Sequence, residues 1–431
     1  MPAQVLALAQ LSEAGTLAIC VGAGVSRADR TGLPLGRELA NRVHERLERA
    51  LATMPVCDRD RLTSVADAVA AVAGDVPVQT AMCLAADFTT ADPNYAHRVL
   101  ALLLLEGAAL IVTLNWDDCI ERSSGGQVHG VVTDDDWVHL QGARLLKIHG
   151  CATRPSTILV TSTQLENPLT WARVDLPVLL ATQNVVFLGL GDLPEYLRPA
   201  VTRTSASVTT VDRVWIVSRH VQSHWDQSPW SGIVTTLPPT NRLGMEADDF
   251  LDALLRSRLK LRLGMLLDSV DAPLRPAIQH MIDLVASSDA LRIALWLREA
   301  AIRWQPGQPV ILSPEALHAL LAVAVLAKDD GLEIDEGGRF SVGPECFILL
   351  IARGKSASQV QREGLARARS ARAGRYSQAS QITVVCVGQL GPLDATAGDE
   401  SVVDQVEDAN VVDSPVGTVR FTSAETIIAA G

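Results

Sequence analysis

Three short apolar runs, Leu17–Val21, Leu110–Leu114 and Leu145–Ile148, each stop abruptly at a glycine or a polar side chain. Runs this short, with no polar alternation, suit strands covered on both faces, and such strands belong to parallel sheets whose crossovers are helices. Ile158–Val160, Val185–Leu188 and Val214–Val217 read the same way. Between the first two strands, Gly36–Leu51, Leu62–Ala73, Thr80–Phe88 and Tyr95–Gly107 carry apolar residues at helical spacing. The pattern predicts an α/β unit with a parallel sheet over residues 1–258, carrying a helical insertion at about 36–107. Residues 247–255 close that unit as a helix, with Asp248 and Asp249 in the first turn, where the helix dipole favours acids.

The pattern changes after that helix. From Ser257 to Leu326 the chain reads as amphipathic helices punctuated by Pro273, Pro276, Pro306, Pro309 and Pro314. A small hairpin is expected within 332–350 around Glu336-Gly337-Gly338-Arg339, and Gln381–Val387 reads as a strand. Residues 259–390 are thus expected to form a smaller C-terminal domain, mostly helical or α+β. Arg362, Arg367, Arg369, Arg372 and Arg375 suggest a solvated helix face, and seven acids between residues 392 and 418, with no Lys or Arg, suggest an acidic tail over 391–431.

Composition narrows the classes of function. With 48% apolar and 20% charged residues the chain is globular, and a net charge of −12 argues against direct binding of nucleic acid or an anionic membrane, which relies on clustered Lys and Arg. The seven cysteines, at 20, 57, 83, 119, 151, 346 and 386, form neither a disulfide framework nor a Cys-x-x-Cys zinc spacing, so a reducing cytoplasm is expected. The apolar stretch 100–114 contains Glu106 and Gly107 and is too short to span a bilayer. No signal peptide is read at the N-terminus, and the protein is expected to be soluble.

The chemistry concentrates where the strands end. Leu17–Val21 feeds into Gly22-Ala23-Gly24-Val25-Ser26, where small residues let backbone approach a ligand and offer N–H groups to phosphate. A dinucleotide fingerprint would need a third glycine at position 27, which is Arg27. Ser26 reads either as a partner for phosphate or ribose or as a helix N-cap. Asn115, at the end of the second strand, suits a ribose hydroxyl or a carboxamide, with a turn as the alternative. Asp117 reads as a second polar group at that strand end or as the cap of a helix beginning at Cys119. His149 stands at the end of Leu145–Ile148, where an imidazole titrating near neutrality can act as a general base. A metal held by His149 and Cys151 fits poorly, because neither His129 nor His139 completes a recognised zinc spacing.

In order and spacing, Gly22-Ala-Gly-Val-Ser26, Gly32-Leu-Pro34, Thr113-Leu-Asn-Trp-Asp117 and Lys147-Ile-His-Gly150 resemble the Sir2 (sirtuin) superfamily, in particular its bacterial SIR2-like branch of antiphage defence proteins. The resemblance implies a Rossmann-like sheet that binds NAD. It assigns Gly22, Ala23, Gly24, Ser26 and Thr113 to the dinucleotide, together with Gly189 and Asp192 of Phe187-Leu-Gly-Leu-Gly-Asp192, and it makes Asn115, Asp117 and His149 catalytic. The sequence departs from deacylating sirtuins. The loop Gly32-Leu33-Pro34-Leu35-Gly36-Arg37 lacks their aromatic residue, Leu114 replaces a glutamine, and the four-cysteine zinc ribbon is missing, so no zinc is expected. The branch implies an NAD glycohydrolase releasing nicotinamide and ADP-ribose, the toxic effector of an abortive-infection system. It also implies a homo-oligomer, or regulation by a partner such as a HerA-like ATPase or an Argonaute. An NAD-dependent deacylase or ADP-ribosyltransferase, and a non-catalytic NAD or ADP-ribose sensor, stay open on the sequence.

Overall fold

The computed structural model describes residues 3–190 except 29, 213–218, 237–299 except 270, 271, 273, 274 and 288, 314–326, 333–334, 339–388, 401–406, 409–414 and 417–430. These form two compact units, one ending at Leu254 and one beginning at Leu255.

The first unit is a doubly wound parallel sheet, as the apolar runs require. Its strands are β1 Leu17–Val21, β2 Leu110–Thr113, β3 Val128–Val131, β4 Ala143–Lys147, β5 Asn184–Leu188, β6 Val214–Val217 and β7 Arg242–Leu243, in the order β3-β4-β2-β1-β5-β6-β7. Every pairing is parallel. β1 sits centrally and all five of its residues are buried. Each fully buried Leu, Ile or Val there contributes roughly 1.5–3 kcal/mol, so the strand from which the first glycine loop departs is a rigid base.

After helix α1, Ala3–Glu13, the insertion forms α2 Gly36–Ala50, α3 Leu62–Ala73, α4 Asp75–Ala85 and α5 Tyr95–Leu105. Val43, Leu47, Val65, Val69, Val78 and Met82 give α2, α3 and α4 a core of their own. The shorter helices α6 Cys119–Ser123, α7 Asp134–His139, α8 Ser162–Glu166 and α9 Thr170–Ala181 follow. Two expectations fail locally. Residues 158–160 form no strand: a 3-10 turn at Pro155–Thr157 precedes them, and the Val160 and Thr161 N–H groups donate to Gln164 Oε1 in the capping box of α8. Their apolar side chains are buried against the insertion core rather than in the sheet. β3 escapes the sequence pattern because only Val128 and Val131 of this edge strand are buried.

The second unit carries more sheet than its sequence suggests. Helix α10, Ala247–Ser269, runs well beyond residue 255, and α11 Arg275–Ser287, α12 Ala290–Glu299 and α13 Pro314–Leu326 follow. The strands β8 Glu333–Ile334, β9 Arg339–Val342, β10 Glu345–Ile351, β11 Gln381–Val387, β12 Ser401–Val406, β13 Ala409–Asp413 and β14 Val419–Ser423 form one mixed sheet. The expected hairpin is present as antiparallel β8 and β9, and β9 turns again at Gly343 to pair with β10. Helix α14, Ala357–Arg372, connects the parallel pair β10 and β11 and covers their buried face, and α15, Ala424–Ala430, ends the chain's described part.

The acidic tail expected over 391–431 is corrected, because β12, β13 and β14 lie in it. The sequence there places valine pairs between the acids, and Val412, Val419 and Phe421 are buried. Nor are the arginines of α14 merely a solvated face: Arg367 donates to Leu349 O (3.2 Å) and Arg372 to Ala379 O. Among the described residues, no helix is long and apolar enough to cross a membrane.

Candidate functional site

From β1 the chain proceeds to β2 on one side of the sheet, and from β5 to β6 on the other. The crevice beyond the carboxyl ends of β1 and β5 is therefore the topological switch point, where open α/β sheets bind ligands.

Two glycine loops meet there. Gly22 N–H donates to Leu188 O (3.0 Å) and Gly24 N–H to Gly189 O (2.8 Å). A Cβ on Gly24 would lie 2.7 Å from Gly189 O, and one on Gly189, at φ +65°, would lie 2.9 Å from Val25 N. The glycines are thus required by loop-against-loop packing, and the amides of Gly22 and Gly24 are not available to a phosphate as the sequence suggested. Ala23 is exposed at the head of the 3-10 turn Ala23–Ser26, and among the described residues its N–H has no partner. Asp192 lies outside the described residues.

Ser26 is 2% exposed. Its Oγ donates to Asp117 Oδ2 (2.9 Å) and accepts from Asn115 Nδ2 (3.0 Å). The third neighbour is His97 Nε2, 3.1 Å away. His97 Nδ1 accepts the Asn94 N–H (3.2 Å), so the neutral ring carries its proton on Nε2 and donates it to Ser26. Burial holds His97 below the usual histidine range, against the attraction of Asp117, which keeps it neutral. A hydroxyl has one donor and two acceptor sites, and all three are filled. Ser26 is therefore not an N-cap; its hydroxyl fixes its neighbours.

Asn115 is what it fixes. Nδ2 donates one hydrogen to Ser26 Oγ and the other to Gly22 O (3.2 Å), while the Asn115 N–H donates to Thr113 Oγ1 (3.1 Å). Both amide hydrogens point into the protein. Oδ1 is on the opposite side of the amide and has no partner among the described residues, so it is offered as an acceptor. Thr113, 1% exposed, positions Asn115 through that bond.

Asp117 is held just as firmly. It is 5% exposed; Oδ2 accepts from Ser26 and Oδ1 from Cys119 N–H (3.2 Å) at the start of α6. Its carbonyl oxygen accepts from Lys147 Nζ, whose ammonium also lies 3.1 Å from Glu121 Oε1. Burial opposes the charge on Lys147, but Glu121 and its other partners hold the ammonium protonated. This pair anchors the loop after β2 to β4.

His97, Asp117 and Cys119 bring three donor atoms within 4.8 Å of one another. Their chemistry suits hydrogen bonding rather than a cation. Burial and Asp117 push the Cys119 thiol up, keeping it protonated, and Arg122 Nη2 stands 3.5 Å from its sulfur.

His149 follows β4. The Trp116 Nε1–H donates to its carbonyl oxygen (2.9 Å), and its imidazole hydrogen-bonds with the Leu114 backbone. Trp116 is tilted against the imidazole at 6.4 Å and packs edge-on against Phe88 of the insertion at 6.2 Å. Asn115 is thus bracketed by two residues that touch His149. Burial lowers the His149 pKa from 6.5 to about 4, partly offset by the bond to Leu114. At neutral pH it is an uncharged imidazole with one unprotonated nitrogen.

The depressed pKa ties stability to pH. Above 6.5 both folded and unfolded states hold His149 neutral; as pH falls toward 4 the unfolded chain takes up a proton that the folded protein refuses. Stability should therefore drop across that window, by about 3 kcal/mol if the whole shift is realised. Urea unfolding of wild type and His149→Gln at a series of pH values checks this, since the variant should lack that part of the acid-side loss. Identical slopes would show that His149 titrates alike in both states.

Sequence reasoning missed His97, Asn94 and the Lys147–Glu121 pair. Asn94, just ahead of α5 with a polar residue three positions on, carries a helix-start signal, and the structure shows it as a reciprocal cap with His97. The long-range bonds to Ser26 leave no local signal.

Residues 109–208 match the family model described as a SIR2-like domain. Solved structures similar to the chain include one described as the structural basis for the mechanism and regulation of Sir2 enzymes, at 12% identity and a TM-score of 0.36, covering 60% of this chain and 98% of that one. Another is the ADP-ribose complex of a histidine-to-asparagine mutant of a Sir2 homologue, at 16% identity and a TM-score of 0.36, covering 59% of this chain and 96% of that one. No curated protein is similar enough in sequence to match the chain.

Proposed function

We propose, from the premise that the first unit belongs to the Sir2 superfamily, that this chain is an NAD glycohydrolase. The observation that carries the reading is Asn115: its amide is locked by Gly22 and Ser26 so that Oδ1 is its free acceptor, at the carboxyl end of β2 and bracketed by contacts to His149.

The reaction suits these groups. The glycosidic nitrogen of the nicotinamide ring is positively charged in NAD, so the C1′–N bond breaks with its electron pair going to that nitrogen, and neutral nicotinamide leaves without a general acid. The ribose is left as an oxocarbenium-like cation that an oriented carboxamide oxygen can stabilise and supply with water. Water then forms the C1′–O bond and loses a proton. Oxygen attached to a cationic carbon is strongly acidic, so even a neutral imidazole with its pKa lowered to about 4 can accept that proton and pass it to solvent. The products are ADP-ribose, nicotinamide and one proton. Ala23 N–H is the backbone donor of the first glycine loop best placed for the dinucleotide, while Thr113, Ser26 and Asp117 hold Asn115 in place.

The resemblance of the motifs to defence proteins supplies a setting: a cytoplasmic effector that depletes NAD during infection, held in check by self-assembly or by a partner protein. The activity is tested by incubating the purified protein with NAD and following nicotinamide by chromatography. Wild type should release it and His149→Ala should be at least about 10²-fold slower, in the range of a lost general base. Equal rates would overturn the reading, and release that requires an acylated peptide would point instead to a deacylase.

A further inference from the structure

We infer that His97, on the insertion helix α5, is a positioning residue for Asn115: its Nε2–H fixes the Ser26 hydroxyl, and Ser26 in turn orients the Asn115 carboxamide. The role in turnover rests on the NAD-cleaving reading above; the orientation itself does not.

The direction of every proton in this relay is set. Asn94 N–H donates to His97 Nδ1 (3.2 Å), which forces the ring proton onto Nε2, 3.1 Å from Ser26 Oγ. Ser26 can then only accept from His97, and its own hydrogen turns to Asp117 Oδ2 (2.9 Å). Its remaining lone pair is left for Asn115 Nδ2 (3.0 Å). With the opposite tautomer, Ser26 would donate to His97 and Asp117 Oδ2 would lose its hydrogen. The hydroxyl could then rotate, and the Asn115 amide would keep only Gly22 O as a firm anchor. The relay is dry: His97 is 1% exposed, and Asp117 is 5% exposed. Asn94 is itself held by donation of its Nδ2 to Val25 O (2.7 Å), so the insertion clasps the first glycine loop at two adjacent residues.

The two nitrogens of His97 have separable tasks, and two amide side chains separate them. In His97→Asn the shorter side chain can still accept from Asn94 N–H and cap α5, but it does not reach Ser26. In His97→Gln the longer side chain places an N–H near the original Nε2 and gives up the cap. A residue that only caps the helix predicts that Asn is benign and Gln is harmful. The relay predicts the reverse for turnover.

His97→Asn should therefore melt close to wild type yet show kcat for nicotinamide release lowered by about 10–100-fold with KM little changed, the size expected when a catalytic group is misplaced by a fraction of its length. His97→Gln should melt lower and keep kcat within about threefold of wild type. A second readout needs no turnover: solvent exchange of the Asn115 side-chain amide in protein labelled with ¹⁵N-asparagine, its signal identified by its loss in Asn115→Ala. Exchange should be slow in wild type and His97→Gln, and fast in His97→Asn. If wild type cleaves no NAD but the exchange follows this pattern, the relay stands and the NAD-cleaving reading fails. If His97→Asn exchanges as slowly as wild type and turns over at its rate, the relay is overturned and His97 is a helix cap alone.

Discussion

Asn115→Ala should leave the protein folded and lower the rate of nicotinamide release from NAD by about 10²–10³-fold, the range seen when one preorganised polar group is removed from a developing charge. The structural loss is small. The side chain gives up two hydrogen bonds, to Gly22 O and Ser26 Oγ, at a partly buried position, which costs about 1–3 kcal/mol in all. The catalytic loss is larger because Oδ1 is held in advance, so no reorganisation is needed as the ribose becomes cationic. Asn115→Asp is the sharper companion. Its carboxylate would keep an acceptor toward the ribose but would face Gly22 O with no hydrogen to donate, so the side chain should swing away and rescue little. Circular dichroism and thermal melting establish that each variant is folded, and nicotinamide release gives the rate. An Asn115→Ala protein that matches wild type would remove Asn115 from the chemistry.

How far the sequence leads depends on the kind of constraint. The parallel sheet was legible because Leu17–Val21, Leu110–Thr113 and Asn184–Leu188 are buried on both faces, so burial is written into consecutive residues. The positions of Asn115 and His149 were legible for the same reason, as the polar residues that end such strands. What those groups do with their hydrogens was not. Ser26 invites two readings from its neighbours, as a ligand contact or an N-cap, and neither reveals that its hydroxyl holds three distant side chains. Its partners His97, Asn115 and Asp117 lie 71, 89 and 91 residues away, and no local pattern brings them together. The β12–β14 segment fails for a different reason. Net charge over 392–418 suggests an open tail, yet strand formation depends on where the apolar residues fall between the charges, and Val412 and Val419 fall on a buried face. Charge density and burial pattern carry separate information there, and the pattern prevailed.

Gly150→Ala should be the most damaging single methyl that can be added near the site, and it should act through His149. Gly150 has φ +85°, and a Cβ there would lie 2.1 Å from Thr157 O and 2.4 Å from Thr157 C. Neither atom is the end of a flexible side chain. Both belong to the 3-10 turn Pro155–Thr157, whose next residues return to donate Leu159 N–H to the His149 carbonyl oxygen (3.0 Å). Left-handed backbone costs a non-glycine residue about 1–2 kcal/mol, and forcing the turn outward adds about 1–3 kcal/mol of overpacking. Gly142→Ala separates the two contributions, because Gly142 has nearly the same φ, +84°, with nothing within 4 Å of the added carbon. Urea unfolding should give about 1–2 kcal/mol for Gly142→Ala and about 2–5 kcal/mol for Gly150→Ala. Nicotinamide release should survive the first and be lost in the second, even under conditions where both proteins are folded, because the turn that must move also supports His149. Equal destabilisation in the two variants, with turnover retained in both, would mean that the turn yields freely. In that case His149 is held from the β2 side alone, through Leu114 and Trp116.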